Sequence, residues 1–161
     1  MSTRDDGNDP GVLRTDGIEV RTLAPTDLDW MVRIDKEWSG SGRRGYYEVK
    51  LAEAVRDTSV RISLAALVDG TPAGFLMGRV YYGEFGVPEP VAQLDTIVVA
   101  RAFTGKHVAE ALLRQLKLNL RGLRIERLQT QVEWDQLNLL GFFQHAGFKP
   151  APRLCLELEV E

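Results

Sequence analysis

The residues best placed to do chemistry lie in VARAFTGKHVAEALL, positions 99–113. An apolar, β-branched run closes, Gly105 follows, and amphipathic periodicity begins at once. A strand that ends in a glycine turn and feeds a helix is a phosphate-binding layout. The first amides of a helix have no intrahelical partners, and the helix dipole is positive at that end. Such turns usually hold two or three glycines; this one holds Gly105, followed by Lys106 and His107. The substitutions keep the amide donors, because any residue but proline supplies an N–H. They add Cβ atoms, which restrict close approach and disfavour positive φ. If position 107 needs φ > 0, His107 costs roughly 1 kcal/mol, and its ring competes with a phosphate for space. Lys106 and a protonated His107 offer charge attraction in return.

Other chemistries find little support. His107, His145 and Cys155 do not make a metal-ligand pattern, so no metal is expected. No G-x-S-x-G elbow occurs, and neither histidine has an evident serine partner. His145 reads as a surface residue, and Cys155 as a structural or partner-facing one. The formal net charge of −3 carries no basic excess, which argues against nucleic acid as a partner. No run of about 18 apolar residues appears, so no membrane span is expected. The acidic, polar start MSTRDDGNDPGV lacks the apolar core of a signal peptide. One cysteine excludes an internal disulfide framework. Together these features point to a cytoplasmic protein.

The 161 residues suit one domain with a sizeable core. Residues 1–17 are expected to form a flexible tail, and residues 18–161 the domain. IEVRTL, 18–23, reads as a strand. Pro25-Thr26-Asp27 opens a helix that ends near Trp38, and SGSGRRG connects it to a helix from about Tyr46 to Arg56. Strands over 61–68 and 73–82 flank the hairpin signal Asp69-Gly70. A loop leads to a strand over 91–100. Residues 106–121 make the clearest helix, with Val108, Leu112, Leu116 and Leu120 as its apolar stripe. IERLQTQVEW reads as a strand, 136–146 as a helix stopped by Gly147 and Pro150, and LCLELEVE as a closing strand. The order β-α-α-β-β-β-α-β-α-β predicts an α/β fold with a mixed central sheet and helices on both faces.

That order and three of its segments resemble the GNAT superfamily of acyl-CoA-dependent N-acyltransferases. LDTIVV…GKHVAEALLRQL is similar to the family's fourth strand and CoA-binding helix. LQTQVEW is similar to its fifth strand, and LLGFFQHAGFKP to its terminal helix ending in Gly-Phe. The resemblance implies a mostly antiparallel sheet that splays between the fourth and fifth strands. It implies acetyl-CoA, or another acyl-CoA, as cosubstrate. The pantetheine arm would pair with backbone of Ile97, Val98 and Val99. The pyrophosphate would fall on Thr104, Gly105, Lys106, His107, Val108 and Ala109. The family turn reads Q/R-x-x-G-x-G/A; Ala109 matches it, whereas Thr104 and His107 depart from it.

The implied reaction is direct attack of a primary amine on the thioester, with a base to deprotonate the amine. The family's fourth-strand carboxylate aligns with Gln93, which cannot act as a base. Asp95 lies two residues on and shares its face by the strand period. Glu133 is the second candidate. The tyrosine that protonates the leaving thiolate aligns with Phe143, which has no proton to give, and a typical asparagine aligns with Gln136. Tyr81, Tyr82, Glu84 and Phe85 are candidates to line the acceptor pocket, and Arg43 and Arg44 to attract an acidic acceptor. The acceptor is expected to be a small-molecule amine, a lysine or a protein N-terminus. Edge strands make a homodimer a further expectation. The competing reading is a GNAT-fold protein that binds a ligand or partner without catalysis.

Overall fold

The computed structural model describes residues 13–15, 17–56 and 62–161. It divides into two compact units between Gln131 and Val132. The tail expected over 1–17 lies mostly outside the described residues, although Leu13–Thr15 within it form a strand.

The first unit is built on a six-stranded sheet in which spatial and chain order coincide. Its strands are β1 (Leu13–Thr15), β2 (Ile18–Thr22), β3 (Leu64–Val68), β4 (Thr71–Tyr81), β5 (Val91–Val99) and β6 (Leu128–Thr130). All neighbours are antiparallel except β5 and β6. Asp69 and Gly70, with φ of 48° and 80°, make the tight turn joining β3 to β4. The parallel pair needs a crossover, and helix α3 (Val108–Gly122) supplies it.

Helices α1 (Leu28–Ser39) and α2 (Arg44–Arg56) cover one face of the sheet. Trp30, Met31 and Ile34 of α1 and Tyr47 and Leu51 of α2 pack with Ala65, Phe75 and Met77. Gly74 neighbours Phe75 and so faces the other way; there it meets Val108 at the start of α3. The predicted stripe of Val108, Leu112, Leu116 and Leu120 is buried, joined by Leu113.

The two helices on the first face are tied together by a buried carboxylate. Asp35 of α1 is 2% exposed. Such burial is costly for a charge without partners. Asp35 receives Arg43 on both oxygens (2.6 and 3.0 Å), the Tyr47 hydroxyl (2.9 Å) and the Ser39 hydroxyl (3.0 Å). The link SGSGRRG is therefore fixed to α1 through its Arg43. Arg44 likewise pairs with Asp29 at 2.7 Å.

The second unit contains α4 (Leu137–His145). Gly147, with φ of 98°, ends it, and the Phe148 amide returns to the Phe143 carbonyl at 2.9 Å, a glycine-terminated helix end. Phe143 packs against Phe142 and Phe148. Two expected strands need correction. LCLELEVE forms no strand: Leu154, Leu156, Leu158 and Val160 are 85–90% exposed. Its alternation prepares an apolar face, but a strand exists only through a ladder with a neighbour, and no described strand pairs with it. IERLQTQVEW is a strand only at Leu128–Thr130, because its parallel pairing with β5 runs only as far as Leu94.

The Arg43 bond is the largest cause holding the Asp35 carboxyl below the usual carboxylate range; burial opposes it, and the Tyr47 and Ser39 bonds add to it. A depressed folded pKa contributes stability above the unfolded value of about 3.9, lost as pH falls through the folded pKa. Asp35→Asn is expected to cost about 2–3 kcal/mol near pH 7, less than a fully buried pair would, because solvent screens the exposed side of Arg43. The gap to the parent should close as pH drops below about 4. Melting curves at pH 7 and pH 3 check this; an equal loss at both would refute it.

Candidate active site

The site begins with an irregularity in the sheet. β4 and β5 pair from Tyr81↔Val91 to Gly78↔Leu94, and the next pair is Met77↔Thr96. Asp95 is therefore the extra residue of a β-bulge, without a partner of its own in the ladder. Gly78 stands opposite it. A Cβ at 78 would lie 2.7 Å from the Gln93 carbonyl oxygen, so the strands could not approach as they do. The Gly78 amide is taken by the Ser63 hydroxyl at 3.3 Å.

The bulge also marks where the sheet opens. β6 pairs with β5 only across Ala92–Leu94, and the Thr130 hydroxyl closes the pairing with a 2.9 Å bond to the Leu94 carbonyl. Beyond it, Thr96 to Val99 have ladder partners on β4 alone. The Ala100 amide donates to the Ala73 carbonyl at 2.8 Å. By the alternation of an antiparallel ladder, the backbone groups of Val98 then face β4 and those of Ile97 and Val99 face away. The outward Val99 carbonyl accepts the Trp38 indole N–H at 2.8 Å, and Arg101 lies 4.0 Å over that ring.

Asp95 faces a cleft of about 260 Å³ between α2, β4 and β5. Its side chain is 14% exposed and sits between two cations, Lys50 Nζ at 3.0 Å and Arg79 Nε at 3.4 Å. Both reach the same oxygen, Oδ2. Asp95 and Gln93 belong to the same strand stretch as expected, and Gln93 lies opposite Arg79. Lys50 and Arg79 carry no signal in the sequence. Nothing in the spacing of α2 marks Lys50, and only the fold brings it 45 positions along the chain to Asp95.

β5 then leads into the glycine turn. Gly105 and His107 both have positive φ, 77° and 63°. Position 107 therefore does take the backbone conformation that a glycine would favour. The first helical bond of α3 runs from the Ala111 amide to the His107 carbonyl, so the amides of Val108, Ala109 and Glu110 precede it. Thr104, Gly105, Lys106 and His107 are all exposed, and a Cβ on Gly105 would meet nothing within 4 Å. The His107 ring is 82% exposed, with Nδ1 3.7 Å from the Glu110 carboxylate. An open turn with free helix amides and a lysine fits a pyrophosphate.

Of the remaining candidates, Tyr81 lies beside Arg79, its ring centroid 5.3 Å from that guanidinium, and Glu133, Gln136 and Phe143 belong to the second unit. Glu133 and Gln136 are exposed and share one turn, the Gln136 amide bonding the Glu133 carbonyl at 3.1 Å. Phe143 is buried. Arg43, expected to attract an acidic acceptor, is committed to Asp35, and Tyr82 and Phe85 are exposed. Among the described residues no cluster of three His, Cys, Asp or Glu could hold a metal ion. No helix among them is long and apolar enough to cross a membrane.

A strand that bulges, parts from its parallel neighbour and feeds an amide-rich turn on a helix defines the GNAT class of fold. The chain belongs to the Acetyltransferase (GNAT) family, which matches residues 28–148. It is similar in structure to aminoglycoside antibiotic 6'-N-acetyltransferase AAC(6')-Ih from Acinetobacter baumannii, with 17% identity, a TM-score of 0.73, and coverage of 90% of this chain and 99% of that one. AAC(6')-Iy, solved with the bisubstrate analogue CoA-S-monomethyl-acetylneamine, gives 19% identity and a TM-score of 0.69 over 89% and 98% of the two chains. A ribosomal-protein-alanine N-acetyltransferase from Brucella melitensis biovar Abortus 2308 gives 17% and 0.70 over 89% and 99%. At such identities the likeness shows the fold. No curated protein matches the chain by sequence.

The positive φ at His107 generates a stability prediction. His107→Gly should stabilise the fold by about 0.5–1 kcal/mol through relief of backbone strain. For a chain of this size that is a rise of roughly 1–4 °C in melting temperature. A fall would show that the chain entropy added by glycine and the loss of the Glu110 contact outweigh the strain.

Proposed function

We propose that this protein is an N-acyltransferase that moves an acetyl or other acyl group from acyl-CoA to a primary amine by direct attack. The observation that carries this reading is the continuity of β5: one strand presents the bulged Asp95, then an edge free of β6, then the turn at the head of α3. When bound, acyl-CoA supplies the thioester that the amine attacks. The amides of α3 and Lys106 would hold its pyrophosphate, and the outward backbone of Ile97 and Val99 would pair with its arm.

Asp95 and Glu133 are the two carboxylates proposed to accept the ammonium proton, directly or through a water. Asp95 has the stronger case, because it lines a cleft at the point where the sheet opens. Phe143 cannot protonate a leaving thiolate. A thiolate can nevertheless depart unaided, since thiol pKa values lie near about 8–9. Gln136 would border the cofactor. The lone Cys155 fits work in a reducing, cytoplasmic setting.

A second reading, ligand binding without catalysis, draws on a specific observation. Asp95 is already engaged by two cations, and the usual acid is replaced by a phenylalanine. Calorimetric titration with acetyl-CoA and free CoA, followed by a thiol-release assay with amines, separates the two. Binding with turnover supports the enzyme; binding without turnover, or no heat at millimolar ligand, overturns it and supports the alternative. Lys106→Ala should weaken CoA binding about twofold to fivefold, the worth of one exposed charge contact.

A further inference from the structure

The cleft beside Asp95 has a charge pattern that bears on which amine could enter it. Two cations, Lys50 and Arg79, flank one carboxylate, and both contact its Oδ2. Glu53 also borders the cleft but is exposed on α2. The lining thus holds two cations and two carboxylates, and the excess of positive charge is confined to the three groups in contact, Lys50, Arg79 and Asp95. Donor capacity remains there beyond the closest contacts to Asp95, since an ammonium has three N–H groups and a guanidinium five. Both cations are also supported by aromatic rings. Lys50 Nζ lies 5.7 Å from the Tyr46 ring centroid, and the Arg79 guanidinium 5.3 Å from that of Tyr81, within the range of a cation–π attraction. Arg79 is half exposed at 52%, so its outer edge is open to a ligand.

We infer that the acceptor is a small primary amine that carries its own anionic group, a carboxylate or a phosphate, a few bonds from the nitrogen. The inference rests on the acyltransferase reading above. Asp95 Oδ1, the oxygen away from the closest approach of each cation, would receive the ammonium. The spare donors of Arg79 and Lys50 would receive the anion. Arginine suits this task, because its planar fork matches carboxylate and phosphate oxygens in pairs. A polycationic acceptor, such as an aminoglycoside, meets Lys50 and Arg79 on either side of the carboxylate that would receive its amine. The cleft is also small, at about 260 Å³. Pockets for drug-sized ligands usually start at roughly 300 Å³ and run several times larger. This cleft suffices for a small amine.

The test uses matched amines and the full chain: alanine against ethylamine, phosphoethanolamine against ethanolamine, and spermidine as the polycation. Binding is read by calorimetry with and without saturating CoA, and turnover by thiol release from acetyl-CoA. The anionic member of at least one pair should be preferred tenfold or more in affinity or kcat/KM. Which pair responds distinguishes carboxylate from phosphate. Arg79→Met should reduce that preference to threefold or less, with CoA affinity unchanged as the check on folding. Preference for the neutral amines or spermidine would overturn the acceptor class and leave the acyltransferase reading standing. Failure of CoA to bind would overturn that reading, and the amine affinities alone would then decide the charge preference of the cleft. Equal binding within each pair would overturn it.

Discussion

The arrangement of the first face depends on Asp35. A carboxylate so deeply buried is tolerated only when donors surround it, and here Arg43, Tyr47 and Ser39 do so. Those donors come from the end of α1, from the link after it and from the first turn of α2. The bonds therefore set the axial position of α2 relative to α1. Tyr47 serves twice, since its ring packs edge-on against Phe75 of β4 while its hydroxyl meets Asp35. One turn further along α2, Lys50 arrives over β5. The ion pair with Asp95 is thus a downstream result of a bond network formed by other residues.

The bulge at Asp95 ties the sheet to the site in a second way. A regular β5 would keep each side chain in register with β4. The extra residue gives β5 an added twist. It coincides with the end of pairing to β6, so the strand becomes an edge within its own sheet. An edge strand carries unpaired amide and carbonyl groups. Here the stretch that offers them leads into the head of α3, with Trp38 already bonded to one of the outward carbonyls. Gly78 and Ser63 make the bulge possible, one by lacking a side chain and the other by bonding the amide that faces it.

Much of this architecture is legible in the sequence. Asp69-Gly70 marks its hairpin, the Val108–Leu120 stripe marks α3, and Gly147 marks the end of α4. These signals are local: turn chemistry, helical period and a stop residue each act within a few positions. The strand that carries Asp95 is also legible, but the bulge that makes Asp95 its extra residue is not. What the sequence hides depends on contacts between distant segments. Lys50 meets Asp95 through the packing of α2 on the sheet, and no spacing rule reports that. Asp35 looks like any helical aspartate until its burial is known. The strand expected at LCLELEVE fails for the opposite reason. Its alternation is a genuine pattern, but a pattern does not supply the neighbouring strand.

That final segment has a consequence for how the protein keeps to itself. An exposed run of alternating Leu154, Leu156, Leu158 and Val160 has the composition of an aggregation-prone strand: strongly apolar at every second position and without proline. The intervening positions from 157 onward are Glu157, Glu159 and Glu161. Were copies of this segment to stack in register, each glutamate would stand about 4.8 Å from its counterpart above and below. Every added copy would extend three rows of like charge. The residues between the leucines thus act as gatekeepers, and the polarity that alternates with the apolar row opposes the fibrillar stacking that the row would otherwise favour.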